Sequence, residues 1–395
     1  MSFLRNLIPQ KLINLFWHLP KAILANLVYG FPSRKLTVIG ITGTSGKTTT
    51  AHLLYHLLHK SGLKTALIST ISAKIGNQKI ETGLHVTSPD SFLLQKLLKQ
   101  IVDKDYKYVV LEVTSHGLDQ YRTLGTNFTY AVLTNITHEH LDYHKTFKNY
   151  QHAKLKLIKS ASIAVINKED KSFLPAKKSA SGKIIPYSFK SAFSLPSTLP
   201  GEFNQANLSA AIAVVKNINL KDKSIKQALK TFPGLPGRME FIQTKPFTII
   251  IDFAHKPDAL EKALKSIKKI KGEKNKIISV FGSAGLRDKQ KRPLMGKISA
   301  KLSDITILTA EDPRTEDVNQ IIEEIYQGCL QTKAENVHQI PDRQQAINLA
   351  IKLAKPGDIV ALFGKAHEKS MCFGKIEHPW SEHQAVNQAL KLKTK

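Results

Sequence analysis

The residues best suited to chemistry form one run, Gly40-Ile41-Thr42-Gly43-Thr44-Ser45-Gly46-Lys47-Thr48-Thr49-Thr50. Glycines let a backbone approach a polyphosphate, and free N–H groups at a helix start point at its oxygens. In such a cradle Gly43, Thr44, Ser45, Gly46 and Thr49 line the phosphates. Lys47 brings a charge to the outer ones, and the Thr48 hydroxyl is a ligand for Mg²⁺. The first glycine of G-x-x-x-x-G-K-[ST] falls at Ile41, so the pattern is incomplete at its front and intact from Gly43 on. A second candidate ends the run Tyr108-Val109-Val110-Leu111-Glu112, where apolar residues lead to a carboxylate suited to a metal. A third is Thr137-His138-Glu139-His140-Leu141-Asp142-Tyr143-His144, rich in imidazoles and acids but unlike H-E-x-x-H.

These residues need elements that hold them. The glycine run follows a β-type stretch, Leu36 to Ile41, and precedes a helical pattern, Ala51 to His59. Glu112 ends a predicted strand, and in open α/β sheets ligands sit at the carboxyl edge of the strands. Further strands are expected at Thr65 to Ile71, Tyr130 to Thr134 and Ile163 to Ile166, and helices at Asn149 to Lys159 and Leu208 to Val215. Asp90 is placed to cap the helix after it. Pro233-Gly234-Leu235-Pro236-Gly237-Arg238 reads as a linker. Beyond it, strands are expected at Phe247 to Ile251, Ile277 to Phe281, Ile305 to Leu308 and Ile359 to Phe363, each running into a polar motif. Strands alternating with helices predict an α/β protein with mostly parallel sheets. The expected division is a basic amphipathic segment (1–35), a central P-loop ATP-binding domain (36–235) and a C-terminal Rossmann-like domain (236–395).

The chain has 395 residues and a formal net charge of +27, with no acidic residue before Glu81. Its lysines are spread over the whole length without an arginine-rich arm or a nucleic-acid module, so nucleic acid is not the expected partner. Two cysteines cannot build a disulfide framework or a four-thiolate zinc site. No run of about 20 uncharged apolar residues suggests a membrane span. The start, with Phe3, Leu4, Leu7, Ile8, Leu12, Ile13, Leu15, Phe16 and Trp17 beside Arg5, Lys11 and Lys21, makes a poor signal peptide. Two readings stand for it: an interfacial helix with weak affinity for a membrane surface, or a helix packed on the domain behind it. A cytoplasmic monomer is expected.

Many short motifs, in order, resemble the Mur ligase family, in its UDP-N-acetylmuramyl-tripeptide synthetase branch. They are GTSGKTTT, TSPD, EVTSHGLDQYR, TNITHEHLDYH, the Ala153-Lys154 position, FNQANLSAA, PGRME, DFAHKPDALEKAL, FGSAGLRDKQKRPLMG, EDPRTED and GKAHE. The resemblance implies an ATP- and Mg²⁺-dependent amide ligase of peptidoglycan synthesis. A carboxylate of a muramyl-peptide acceptor attacks the γ-phosphate of ATP, and the amine of a diamino acid then displaces phosphate from the acyl phosphate. By resemblance, Glu112 and His140 bind Mg²⁺, and Lys154 is carbamylated, which turns an ammonium into a metal-binding anion. Asn204, Asn207, Arg238, Asp252, His255 and Lys289 fall at nucleotide-contact positions, the C-terminal ones acting when the domains close. Thr87, Ser88, Ser115 and Arg122 match positions near the acceptor. Arg287, Asp312, Arg314, Gly364 and Glu368 match positions that hold the amino acid.

The diaminopimelate-adding pattern is Asp-Asn-Pro-Arg; here it is Glu311-Asp312-Pro313-Arg314. The kept arginine favours meso-diaminopimelate over lysine, because a guanidinium holds a distal carboxylate bidentately. The family's uridine-binding domain has no counterpart in residues 1–35, which leaves the acceptor open. Folylpolyglutamate synthetases share the P-loop but fit the SHGLDQ and DPR-type runs poorly. A non-catalytic ATP-binding scaffold is the reading from another class, and the joint presence of Lys47, Thr48, Glu112, His140 and Lys154 argues against it.

Overall fold

The computed structural model describes residues 9–80, 88–137, 139–189, 191–332 and 334–393. They form two compact units. The first runs to Leu195 and resumes at Asn204–Phe232; the second takes Pro196–Phe203 and the chain from Pro233 onward. Pro196–Phe203, placed by pattern in the central domain, thus belongs to the second unit's contacts.

The first unit is built on strands β1 (Thr37–Thr42), β2 (Thr65–Ile68), β3 (Ala73–Ile75), β4 (Gln78–Ile80), β5 (Tyr108–Glu112), β6 (Phe128–Leu133), β7 (Ile163–Asn167) and β8 (Lys183–Tyr187). Their order in the sheet is β4-β3-β2-β5-β1-β6-β7-β8. Pairing is parallel from β2 to β8, and the short β3 and β4 add an antiparallel edge. β1 is central and fully flanked, so Val38, Ile39 and Ile41 are buried, as the near-continuous apolar run of an inner parallel strand requires. The register sets Ile41 opposite Glu112. That pairing brings the end of β5 beside the loop leaving β1.

Helices α1 (Leu19–Tyr29), α2 (Lys47–Lys60), α3 (Ser91–Asp103), α4 (Phe147–Ser160) and α5 (Phe203–Asn217) are the elements that matter most around this sheet. Asp90 caps α3, its carboxylate accepting from Phe92 N at 2.9 Å and Leu93 N at 3.2 Å. Helix α2 begins at Lys47, earlier than the apolar pattern suggests. Threonines are weak helix formers, yet Thr48, Thr49 and Thr50 are buried here and tertiary contacts override propensity.

The second unit has strands β9 (Glu240–Gln243), β10 (Thr248–Asp252), β11 (Ile277–Phe281), β12 (Ile305–Leu308), β13 (Val337–Gln339) and β14 (Ile359–Phe363), in the order β13-β12-β11-β14-β10-β9. In this sheet, among the described residues, only β9 pairs antiparallel. The chain passes from β10 over the place later filled by β14 to reach β11, runs on in the same direction to β12 and β13, and then returns to insert β14 between β11 and β10. Such a reversal of winding leaves a crevice at the carboxyl ends of the inner strands. A hairpin, β15 (Ser370–Phe373) and β16 (Ile376–Pro379), follows β14.

Candidate active site

The loop Gly43–Gly46 is held from below by side chains of the β6 exit. Thr134 Oγ1 donates to Ser45 O at 2.7 Å, Asn135 Nδ2 donates to the same oxygen at 3.1 Å, and Asn135 Oδ1 accepts from Ser45 N at 3.0 Å. Gly43 is required by this support, since a Cβ there would fall 1.8 Å from Thr134 Oγ1. Gly46 has φ +84°, and its Cβ would meet Asn207 Oδ1 at 2.1 Å. Asn207 is in turn braced by Asn204, Nδ2 donating to Oδ1 at 3.0 Å. Both asparagines are buried on α5, so the expected nucleotide positions do lie against the glycine loop.

Lys47 turns back over the loop and donates to Gly43 O at 3.0 Å and Thr44 O at 3.1 Å. Thr48 Oγ1 donates to Glu112 Oε1 at 3.0 Å and lies 3.1 Å from Oε2. Thr70 N donates to Glu112 Oε2 at 3.0 Å. A hydroxyl and a buried carboxylate in contact are hard oxygen donors, the kind Mg²⁺ prefers. The residues present therefore fit the cation that the sequence implies.

Lys154, on α4, is also buried and donates from Nζ to Gly43 O at 2.6 Å. Its ammonium stands 4.7 Å from the centre of the Tyr150 ring. The Tyr150 hydroxyl is 2.9 Å from Thr44 Oγ1, and burial pushes that phenol far above its usual range. His140 sits in the left-handed region with φ 53°. Its ring packs 6.0 Å from Tyr150 and 4.8 Å from His116. Glu112, Lys154 and, through Tyr150, His140 thus gather around one loop, although the sequence separates them widely. Tyr150, Thr134 and Asn135 went unmarked by sequence reasoning. The signal for Tyr150 was its place one turn before Lys154 on the same helix.

The acceptor candidates form a neighbouring group. Ser88 Oγ is 2.9 Å from Thr114 Oγ1 and accepts from Thr114 N at 3.1 Å. Arg122 donates to Ser88 O at 2.7 Å and to Gln120 Oε1 at 2.9 Å through Nε. Among the described residues the buried Ser115 hydroxyl has no hydrogen-bond partner, which suits a group kept for a ligand. Thr87 lies outside the described residues.

In the second unit, Asp252 closes β10 and accepts from Met239 N at 2.7 Å and Ala254 N at 2.8 Å. Burial raises its pKa, against the opposing pull of Arg238 and these two N–H groups. Arg238 stacks 4.7 Å from the Phe253 ring, and His255 Nδ1 is 2.9 Å from Phe253 O. Lys289 is exposed and pairs with Glu316 at 3.3 Å. Arg287 is exposed as well.

At the crevice, Asp312 accepts from Lys365 Nζ and from Cys372 N, both at 2.9 Å. Lys365 is fully buried and also meets Glu368 at 2.7 Å. Burial pulls the Lys365 pKa down, but Glu368 and Asp312 outweigh it and hold the ammonium above its usual range. Arg314 has φ 53° and donates from NH1 to Gly285 O at 3.1 Å. Gly364 has φ +101°, and a Cβ there would lie 2.9 Å from Glu311 Oε2. Among the described residues that oxygen has no hydrogen-bond partner, and burial pushes the Glu311 carboxyl up to about 7 despite nearby Lys291. Asp312, Arg314, Gly364 and Glu368 therefore converge, joined by Lys365 and Glu311, which sequence reasoning passed over as ordinary members of their motifs.

Two mostly parallel sheets, each with buried polar side chains at its strand ends, define a two-unit α/β enzyme rather than a structural protein. The pattern of the Mur ligase middle domain matches residues 41–195, and that of the Mur ligase, glutamate ligase domain matches 237–366. The UDP-N-acetylmuramoyl-L-alanyl-D-glutamate--2,6-diaminopimelate ligase of Aquifex aeolicus (strain VF5) is 39% identical over 391 residues, spanning 93% of this chain and 80% of its own length. Its namesake from Clostridium botulinum (strain ATCC 19397 / Type A) is 37% identical over 399 residues, spanning 94% and 81%. A solved structure of a ligase of that name superposes with a TM-score of 0.62 at 30% identity, over 91% of this chain and 79% of the other. A Mycobacterium tuberculosis folylpolyglutamate synthase complexed with ADP has a TM-score of 0.75 at 18% identity, over 89% and 92%, and shares the fold. The chain belongs to the Mur ligase family of ATP-dependent ligases that form C–N bonds.

Proposed function

We propose that this ligase joins meso-diaminopimelate to UDP-N-acetylmuramoyl-L-alanyl-D-glutamate, activating the acceptor carboxylate as an acyl phosphate. The observation that carries the reading is the contact set on one loop: Thr48 on Glu112 at 3.0 Å and Lys154 on Gly43 O at 2.6 Å. The substrates are those for which the similar ligases are named. The glycine loop and Lys47 bind the ATP phosphates, and Asn204 and Asn207 keep that loop in shape. Thr48 and Glu112 would hold Mg²⁺, joined by His140 and Lys154. When bound, the cation neutralises charge between two anionic reactants.

Lys154 serves that role as a carbamate, made when its neutral amine adds to CO₂ and releases a proton. The carbamate nitrogen keeps one N–H, so the bond to Gly43 O survives. Ser88, Ser115 and Arg122 hold the acceptor; Arg122 supplies the cation a carboxylate needs. By family position, Arg238, Asp252, His255 and Lys289 are further nucleotide contacts. Arg314 grips the far carboxylate of the amino acid, while Arg287, Gly364 and Glu368 take its far end, and Lys365 holds Asp312 and Glu368 in place.

The test is a substrate matrix read by phosphate release and product mass: the UDP-muramyl dipeptide and shorter acceptors against diaminopimelate, lysine and ornithine. Phosphate release that needs both acceptor and diaminopimelate is expected. Release without an amino acid, or none with any pair, would overturn the proposal.

A further inference from the structure

The helical stretch before β1 is turned inside out relative to an ordinary surface helix. It consists of the turn Gln10–Ile13, a π-helical turn Asn14–His18 and α1. Surface helices bury their apolar stripe. Here the buried residues are Asn14, Ala22, Ala25 and Asn26. Asn26 Nδ2 donates to Ala22 O and Leu124 O, both at 2.8 Å, and Tyr29 meets Phe92 of α3 edge-on at 6.4 Å. This side is therefore docked on the first unit. The outward side is apolar: Phe16 is 72% exposed, Trp17 68%, Leu27 62% and Val28 60%, with Ile23 and Leu24 about half exposed between them. Positions 16, 23 and 27 and positions 17, 24 and 28 share one face at helical spacing.

A contiguous exposed apolar stripe marks an interaction surface, and the surrounding charge selects its occupant. Lys11 stands at one end of the stretch, and Arg34 and Lys35 follow its other end; all three are exposed. Lys21 lies alongside, 3.7 Å from Asp90. A second copy carrying the same net charge of +27 would be repelled. An anionic lipid surface would be attracted, and exposed tryptophan and phenylalanine beside lysine suit the headgroup boundary. Among the described residues no helix is long and apolar enough to cross a membrane, so the geometry is that of a helix lying in the interface.

We propose that Gln10–Tyr29 seats this ligase on anionic membranes through Phe16, Trp17, Ile23, Leu24, Leu27 and Val28. The same stretch is tied to the candidate active site. Asn14 Nδ2 donates to Asp119 Oδ2 at 2.8 Å, Tyr143 OH donates to the same oxygen at 3.1 Å, and the Tyr143 ring lies 4.3 Å from His116, which packs on His140. A docked helix thus anchors the wall of the site, not a detached tail. The docking claim stands independently of which acceptor is used.

The experiment uses the full chain with large vesicles of phosphatidylcholine, with and without about a third phosphatidylglycerol. Trp17 and Trp380 are the two tryptophans, so a Trp380→Phe background makes Trp17 the reporter. Sedimentation with anionic vesicles and a blue shift of Trp17 emission are expected. Partitioning should weaken at least about tenfold without the anionic lipid and again in Phe16→Glu/Leu27→Glu. Thermal unfolding of that variant without vesicles should match the parent, which separates lost docking from lost folding. Absence of binding to anionic vesicles, or equal binding by the variant, overturns the proposal. So does a dimer in sedimentation equilibrium that the same variant dissolves, since the stripe would then belong to a second copy.

Discussion

Replacing Glu382 with glutamine keeps the shape of a buried side chain and removes the charge that Arg343 faces. Both side chains are fully buried. Arg343 Nε donates to Glu382 Oε2 at 3.0 Å, while its other nitrogens donate to Ala310 O at 3.0 Å and Phe363 O at 2.9 Å. Trp380 Nε1 donates to Glu382 Oε2 at 2.8 Å. Removing one partner of a buried pair costs about 3–5 kcal/mol because the other charge is left uncompensated. Glutamine still offers one acceptor oxygen, so the lower end applies, ~3 kcal/mol or about a hundredfold in the folding equilibrium. The two carbonyls that Arg343 holds directly precede Glu311 and Gly364. Loosening them should raise the KM for the amino acid with little change in the KM for ATP.

Equilibrium unfolding in urea measures the first effect and initial rates measure the second. The double replacement Arg343→Met/Glu382→Leu separates them. It removes the uncompensated charge but leaves Ala310 O, Phe363 O and Trp380 Nε1 without their partners, so it should still lose about 1–3 kcal/mol while showing the same rise in KM. A loss under about 1 kcal/mol in Glu382→Gln, or an unchanged KM in the folded double variant, would exclude these roles for the Arg343–Glu382 pair.

Lys154→Met should lower kcat at least about a hundredfold while ADP binding by calorimetry changes little, and Lys154→Arg should not rescue it because a guanidinium forms no carbamate; full activity in Lys154→Met would exclude the role. Arg314→Ala should cost about 2–3 kcal/mol of diaminopimelate recognition, read as about a hundredfold in kcat/KM, with lysine as co-substrate unaffected. Glu311 titrates at about 7 in the folded chain, above its unfolded value. Its protonated form therefore stabilises the fold below about pH 4.5, and that contribution is lost as pH rises through 7. Glu311→Gln should gain on the parent in urea stability between pH 5 and pH 8, and an identical pH dependence in the two would contradict this. Gly46→Ala, whose Cβ would lie 2.1 Å from Asn207 Oδ1, should weaken ADP binding at least about tenfold, checked by calorimetry.

Much of the candidate site was legible because parallel α/β sheets put chemistry at strand ends. An apolar run followed by polar residues announces such an end without further information. This is why Gly43 to Thr49, Glu112, Asp252 and Glu311 to Arg314 stood out on types and spacing. The alternation of strand and helix patterns likewise determined the mostly parallel architecture. Lys154 was different, since among neighbouring lysines only the family resemblance singled it out.

Partnership was decided by the tertiary structure. Register set Ile41 beside Glu112 and so turned two separate motifs into one hydroxyl–carboxylate pair. Helix packing brought Tyr150 to Thr44 across 106 positions and put Lys154 over the loop. Asp312 looked like an added acid beside Arg314, and burial next to Lys365 made it half of an ion pair. The first helix could have hidden its apolar stripe. Instead Asn14 and Asn26 found partners on the first unit, and the stripe was left facing out. Residue types limit which bonds a chain can make, but burial and register choose among them, because both depend on segments that sequence spacing does not relate.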